Sequence, residues 1–80
     1  MAEKHILSPL PGTFFRRPAP DKPPYKNEGD IIAAGDAVGL IEVMKTFYEV
    51  KAEFGGTIVK FLVEDSAEVQ AGLPIVAVAV

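Results

Sequence analysis

Lys45 stands within Glu42-Val43-Met44-Lys45-Thr46, between a strand-like run from Val38 to Val43 and a second from Phe47 to Ala52. A lysine between two such runs is expected at a hairpin tip, where its amine can be acylated once to root a prosthetic arm. An arm that must visit two active sites needs a root standing clear of the domain, with flanking strands to fix its position. Tethering then replaces a diffusive encounter by a high local concentration at each site. An exposed amine is almost wholly protonated at neutral pH. No evident base lies beside Lys45 in the sequence, so an attaching enzyme must supply both the base and an activated acyl group. The plain alternative is a solvated turn lysine with no task. Met44 weighs against it, because an apolar residue beside a solvated turn has no packing reason unless it closes the end of the core.

Other chemistries are poorly served. The 80 residues contain no cysteine and one histidine, His5, so thiolate metal sites, disulfides, cysteine catalysis and a histidine metal cluster are excluded. His5 reads as a strand-edge or terminal histidine. No Ser/His/Asp set and no phosphate-cradling glycine loop is present, so the chain is expected to hold no catalytic residues and no metal. The formal net charge of −3 and the lack of a basic stripe argue against nucleic acid and anionic membrane surfaces as partners. The longest apolar-rich stretch, Ile31 to Met44, is broken by Asp36 and Glu42 and is too short to span a bilayer. The N-terminus has no apolar signal region. A soluble protein of the cytoplasm, or of a plastid or other organelle interior after processing, is the expectation.

The elements that must hold Lys45 are read from periodicity and punctuation. At 49% hydrophobic residues the chain can fill one core, and 1–80 is expected to form one domain. Lys4 to Leu7 and Gly12 to Phe15 are short strands. Pro18, Pro20, Pro23 and Pro24 follow, with Asp21 and Lys22 between them, and such a segment can be neither a central strand nor a helix interior. It is expected to be a stiff, protruding loop. Gly29-Asp30 and Gly35-Asp36 mark turns around Ile31-Ile32-Ala33-Ala34, where glycine content favours a short strand over a helix. From Tyr48 the pattern alternates: Tyr48, Val50, Ala52 and Phe54 on one side, Glu49, Lys51 and Glu53 on the other. Gly55-Gly56 turns the chain into Thr57 to Val63. Turns at Asp65-Ser66 and Ala71-Gly72 lead to a closing strand, Ile75 to Val80.

A weak repeat ties these pieces together. Pro11-Gly12-Thr13-Phe14 corresponds to Gly55-Gly56-Thr57-Ile58, Ile32-Ala33-Ala34-Gly35 to Val69-Gln70-Ala71-Gly72, and Val38 to Val43 to Ile75 to Val80. The first half is longer between its glycines, and the proline-rich stretch lies in that interval. Two halves, each too small to bury its own apolar face, predict an all-β flattened barrel or sandwich of two four-stranded sheets with pseudo-twofold symmetry. The Lys45 hairpin joins the halves, and strand exchange between them closes most sheet edges.

Ser8-Pro9-Leu10-Pro11-Gly12-Thr13-Phe14-Phe15-Arg16 and Glu42-Val43-Met44-Lys45, with Gly56-Thr57 beyond, resemble the biotinyl domain of biotin carboxyl carrier proteins. The resemblance covers about Ile6 to Val80. It implies that Lys45 receives covalent biotin, and that Glu42, Val43, Met44 and Thr46 are read by a biotin protein ligase. Val43 stands where the family usually has alanine, and Thr46 where it usually has a second methionine. The segment Arg16-Arg17-Pro18-Ala19-Pro20-Asp21-Lys22 is similar to the "thumb" of bacterial and plastid acetyl-CoA carboxylase carriers, which folds toward the biotin; here it would span about 16–24. The resemblance further implies two partner enzymes. A biotin carboxylase, using ATP and bicarbonate, loads the ring with CO2, and a carboxyltransferase takes the carboxyl group on, with acetyl-CoA the expected acceptor.

Three rivals stand beside this reading. A lipoyl domain shares the expected fold and a modified hairpin lysine, but typically has aspartate before that lysine; the carrier of another biotin-dependent carboxylase is the second rival, and most biotinyl domains outside the acetyl-CoA carboxylase type lack the thumb. An unmodified β module would leave Lys45 bare and gives no reason for the repeat to place its junction there.

Overall fold

In the computed structural model, which describes residues 2–80, the chain forms eight strands and, among those residues, no helix. They are β1 (Glu3–Leu7), β2 (Gly12–Phe15), β3 (Ile31–Ile32), β4 (Ala37–Val43), β5 (Thr46–Lys51), β6 (Gly56–Phe61), β7 (Ala67–Val69) and β8 (Pro74–Ala79). Two antiparallel four-stranded sheets result, ordered β1-β8-β6-β3 and β5-β4-β2-β7. Replacing each strand of the first half by its counterpart four places later turns one order into the other. Every sheet therefore draws two strands from each half, so neither half can close a sheet alone.

The twofold relation reaches individual bonds. Gly35 N–H donates to Ala52 O at 2.8 Å, and Gly72 N–H donates to Ser8 O at 2.8 Å. Both glycines have positive φ, +95° and +85°, so each half closes the turn before its last strand with the residue that tolerates the left-handed region. A register shift between Ala37 and Gly39 in the β4–β5 pairing recurs between Ile6 and Leu7 in the β1–β8 pairing. These bulges change which residues face inward. After the shift in β4, Ile41 and Val43 point to the core while Leu40 and Glu42 lie on the outer face.

The core is assembled from symmetry mates: Phe14 with Ile58, Ile32 with Val69, Val38 with Ile75, Ile41 with Val78, and Ile6 with Val50. All are apolar and mostly β-branched, which suits a sheet buried on its inner face. Each fully buried aliphatic side chain contributes about 1.5–3 kcal/mol over exposure. Ser8, the buried polar residue, donates its hydroxyl to Leu10 O at 2.6 Å, so no unpaired group is left there.

The alternation expected from Tyr48 onward needs one correction. Val50 and Ala52 are buried and Glu49, Lys51 and Glu53 exposed, but Tyr48 is 46% exposed. It lies on the part of the β4–β5 hairpin that overhangs the core, where no opposing sheet remains to cover it. The strand also ends at Lys51, because Ala52 turns to bond Asp36 and Gly35 instead of continuing the ladder.

Candidate functional site

The β4–β5 hairpin closes with Val43 paired to Thr46, leaving Met44 and Lys45 as a two-residue loop. Both have positive φ, 49° and 66°, as in the type I′ turn that fits the twist of adjoining strands. That turn ordinarily takes Asn-Gly. For residues with a Cβ the left-handed region costs about 1–2 kcal/mol each, so the sequence keeps Met-Lys here against local preference. Such strain held in place by the surrounding structure is a marker of a functional position.

Lys45 is exposed and makes no ion pair among the described residues. Met44 is 93% exposed, which rejects the alternative that it closes the end of the core. Thr46 is exposed, whereas Val43 is half-buried against the core and anchors the base of the turn. Glu42 pairs with Phe47 across the hairpin and with Thr13 on the other side. Phe47 itself is 58% exposed. The amine is thus presented on an apolar tip whose stem is rigid.

The proline-rich segment lies over the outer face of the sheet that carries this hairpin. Its two ends are tied together by Tyr25 N–H donating to Arg16 O at 2.9 Å. Arg16 N–H donates to Asp65 Oδ1 at 2.8 Å, its guanidinium sits 4.0 Å above the Phe61 ring, and Nη2 reaches Lys26 O at 3.5 Å. Burial, with the Glu49 carboxylate as the lesser cause, raises the Tyr25 phenol above its usual value, in keeping with a ring lodged near β5. At the loop tip, Lys22 N–H donates to Ala19 O at 3.1 Å, a turn that keeps the segment folded back on itself.

Between loop and sheet is an open groove of about 420 Å³. Arg17, Pro18, Ala19 and Pro20 form one wall; Phe15, Leu40, Glu42 and Phe47 form the sheet side, with Asp65 and Ser66 at the end. Of the residues singled out in the sequence, the structure therefore brings Glu42 together with Arg17, Pro18, Ala19 and Pro20. Asp21 and Lys22 are exposed and do not line the groove. Phe47, Leu40 and Phe15 were not anticipated as site residues. A signal for Phe47 existed: it shares the strand face of Glu49 and Lys51, where an aromatic residue is out of place.

Among the described residues there is no cluster of three or more His, Cys, Asp or Glu able to hold a metal. Among the same residues, no helix is long and apolar enough to cross a membrane. The geometry offers an amine for acylation and a neighbouring groove with apolar walls and a few polar groups.

The family described as biotin-requiring enzyme matches residues 4–78. The biotin carboxyl carrier protein of acetyl-CoA carboxylase 2, chloroplastic, of Arabidopsis thaliana is 42% identical over 74 residues, covering 92% of this chain and 29% of that protein. The biotin carboxyl carrier protein of acetyl-CoA carboxylase of Chlamydia pneumoniae is 42% identical over 67 residues, 84% of this chain and 40% of its own length. The chain thus spans less than half the length of these relatives. A solved structure, the Kluyveromyces lactis urea carboxylase, superposes with a TM-score of 0.78 at 29% identity, covering 99% of this chain and 6% of that one. With a lysine strained into the tip of the hairpin that joins two exchanged halves, and a match running from the first strand to the last, the chain belongs to the biotin-requiring enzyme family.

Proposed function

We propose that residues 1–80 form a biotinyl domain in which Lys45 carries covalent biotin, and that the domain serves as a non-catalytic carrier for acetyl-CoA carboxylase. The observation that carries this reading is the Met44-Lys45 turn: two left-handed residues, an exposed methionine and an amine with no ion-pair partner among the described residues. The relatives named as carriers of acetyl-CoA carboxylase support that complex over another biotin-dependent carboxylase.

Bound biotin supplies a urea nitrogen on which CO2 is carried between partner active sites. The chain's own residues present and restrain it. Lys45 roots the arm, and the paired strands keep its root in one place. Glu42, Val43, Met44 and Thr46 form the surface read by a biotin protein ligase. Biotin carboxylase and carboxyltransferase are the successive partners, in a bacterial cytoplasm or a plastid, as the sources of the relatives suggest. The proline-rich segment, about 16–24, acts as a thumb that limits where the ring rests. The groove beneath it suits biotin: its volume lies in the range of small-molecule sites, and its walls are apolar with a few polar groups.

Intact mass after co-expression with a biotin protein ligase tests the reading. One biotin increment is expected, absent in Lys45→Arg, whose fold should be unchanged. A lipoyl increment would favour the lipoyl rival, and no increment an unmodified module. Labelling that persists in Lys45→Arg would misplace the site.

A further inference from the structure

The Met44 thioether is the one soft nucleophile at the hairpin tip, and nothing covers it. At 93% exposed, Met44 is more open to solvent than any other large apolar side chain among the described residues. Val43 packs against the core, whereas Met44 lies one residue past that anchor, in a left-handed turn with φ of 49°. A thioether is oxidised through its sulfur lone pairs, so access sets the rate, and a side chain this exposed is nearly as open as in an unfolded chain. The sequence holds two methionines, Met1 and Met44, and Thr46 stands on the far side of Lys45. The tip therefore has a single thioether, with no second one beside Lys45 to react in its place.

Resting on the reading that a biotin protein ligase modifies Lys45, we propose that Met44 is an oxidation-controlled gate on that step. A hydroperoxide converts its thioether to the sulfoxide, and the sulfoxide withholds Lys45 from the ligase. The reaction balances. A sulfur lone pair attacks a peroxide oxygen, the O–O bond breaks as the S–O bond forms, and hydrogen peroxide leaves as water. Sulfur loses two electrons and the peroxide gains them. The product is polar and chiral where the thioether was apolar and flexible. An apolar side chain held in solvent beside the acceptor amine gains from burial only when a partner covers it, so the surface that receives the tip desolvates Met44. After oxidation it must desolvate a sulfoxide oxygen for which it has no donor in place, and that cost falls on recognition. Folding is spared, because Met44 lies outside the core. The gate also has a direction in time. Once the Lys45 amide has formed the ligase is no longer needed, so oxidation stops the loading of new carriers and leaves loaded ones intact. Methionine sulfoxide reductases restore the thioether and reset it.

The test treats the unmodified chain with hydrogen peroxide, removes the excess with catalase, and only then adds ligase and biotin. Peptide mapping should place one oxygen on Met44, gained at a rate near that of N-acetylmethionine amide. The kcat/KM for biotin attachment is expected to fall by about tenfold or more, the factor for one polar group buried without a partner, with Tm unchanged. The two methionine sulfoxide reductases together, one for each epimer, should return the parent rate. Met44→Leu, whatever its own rate, should lose nothing on the same treatment; a loss there would move the effect to another residue and overturn the assignment. A Met44 that resists peroxide, or an oxidised chain labelled as fast as the parent, also overturns it and leaves the carrier function standing. So does a fall in Tm that accounts for the lost rate, since unfolding would then be the cause. An untreated chain that takes up no biotin at Lys45 overturns both readings.

Discussion

Arg16 rests its guanidinium 4.0 Å above the Phe61 ring while its backbone N–H bonds Asp65 and its carbonyl accepts from Tyr25. One residue at the start of the proline-rich loop therefore grips the β6 strand, the turn before β7 and the far end of its own loop. The loop is stiff within itself because of its prolines, so its placement over the groove depends on this root.

Replacing Arg16 by methionine keeps apolar contact with Phe61 but removes the charge. A cation–π contact of this kind contributes about 0.5–2 kcal/mol. The expected outcome is faster hydrogen exchange at the Tyr25 amide, with protection of the core strands unchanged. Uniform loss of protection in β4 and β8 would show instead that Arg16 supports the whole fold.

Changing Met44 and Lys45 together to Asn and Gly gives the turn the residues its backbone favours. Relief of the strain should stabilise the domain by about 1–2 kcal/mol, raising Tm by several degrees, while modification is lost. A Tm at or below the parent value would mean that the left-handed turn carries no strain.

Removing Pro18 to Pro24 should leave the sandwich folded, since the second half passes from β6 to β7 without such a loop. It uncovers Leu40, which is 7% exposed although it lies on the outer face of its sheet. Exposing that side chain is expected to cost about 1.5–3 kcal/mol, read from the urea midpoint, and to add a site for an apolar dye. Failure to fold would make the loop part of the folding unit.

Much of this architecture is legible in the chain. The lysine turn is announced by two apolar runs that flank it, and the duplicated halves by Gly35 and Gly72 at matching places before matching strands. What is not legible depends on contacts between distant segments. Leu40 reads as one more core residue, yet a bulge two positions earlier turns it outward and a loop far away in sequence buries it. Tyr48 fits an inward pattern, but nothing overhangs it in space. The left-handed turn is hidden for a different reason: Met and Lys carry no local preference for it, so only closure of the strands imposes it.

The twofold relation also says where the chain ends lie. The mate of the Met44-Lys45 turn is the opening between Val80 and Ala2, bridged by Val80 N–H donating to Ala2 O at 3.0 Å. From there β1 runs the length of its sheet before the chain reaches Gly12, beside Val43. Anything joined to the chain next to Ala2 or Val80, whether a bead, a chip or a fusion, consequently grips the pole opposite the lysine turn, and a layer of such molecules would point each Lys45 away from its support.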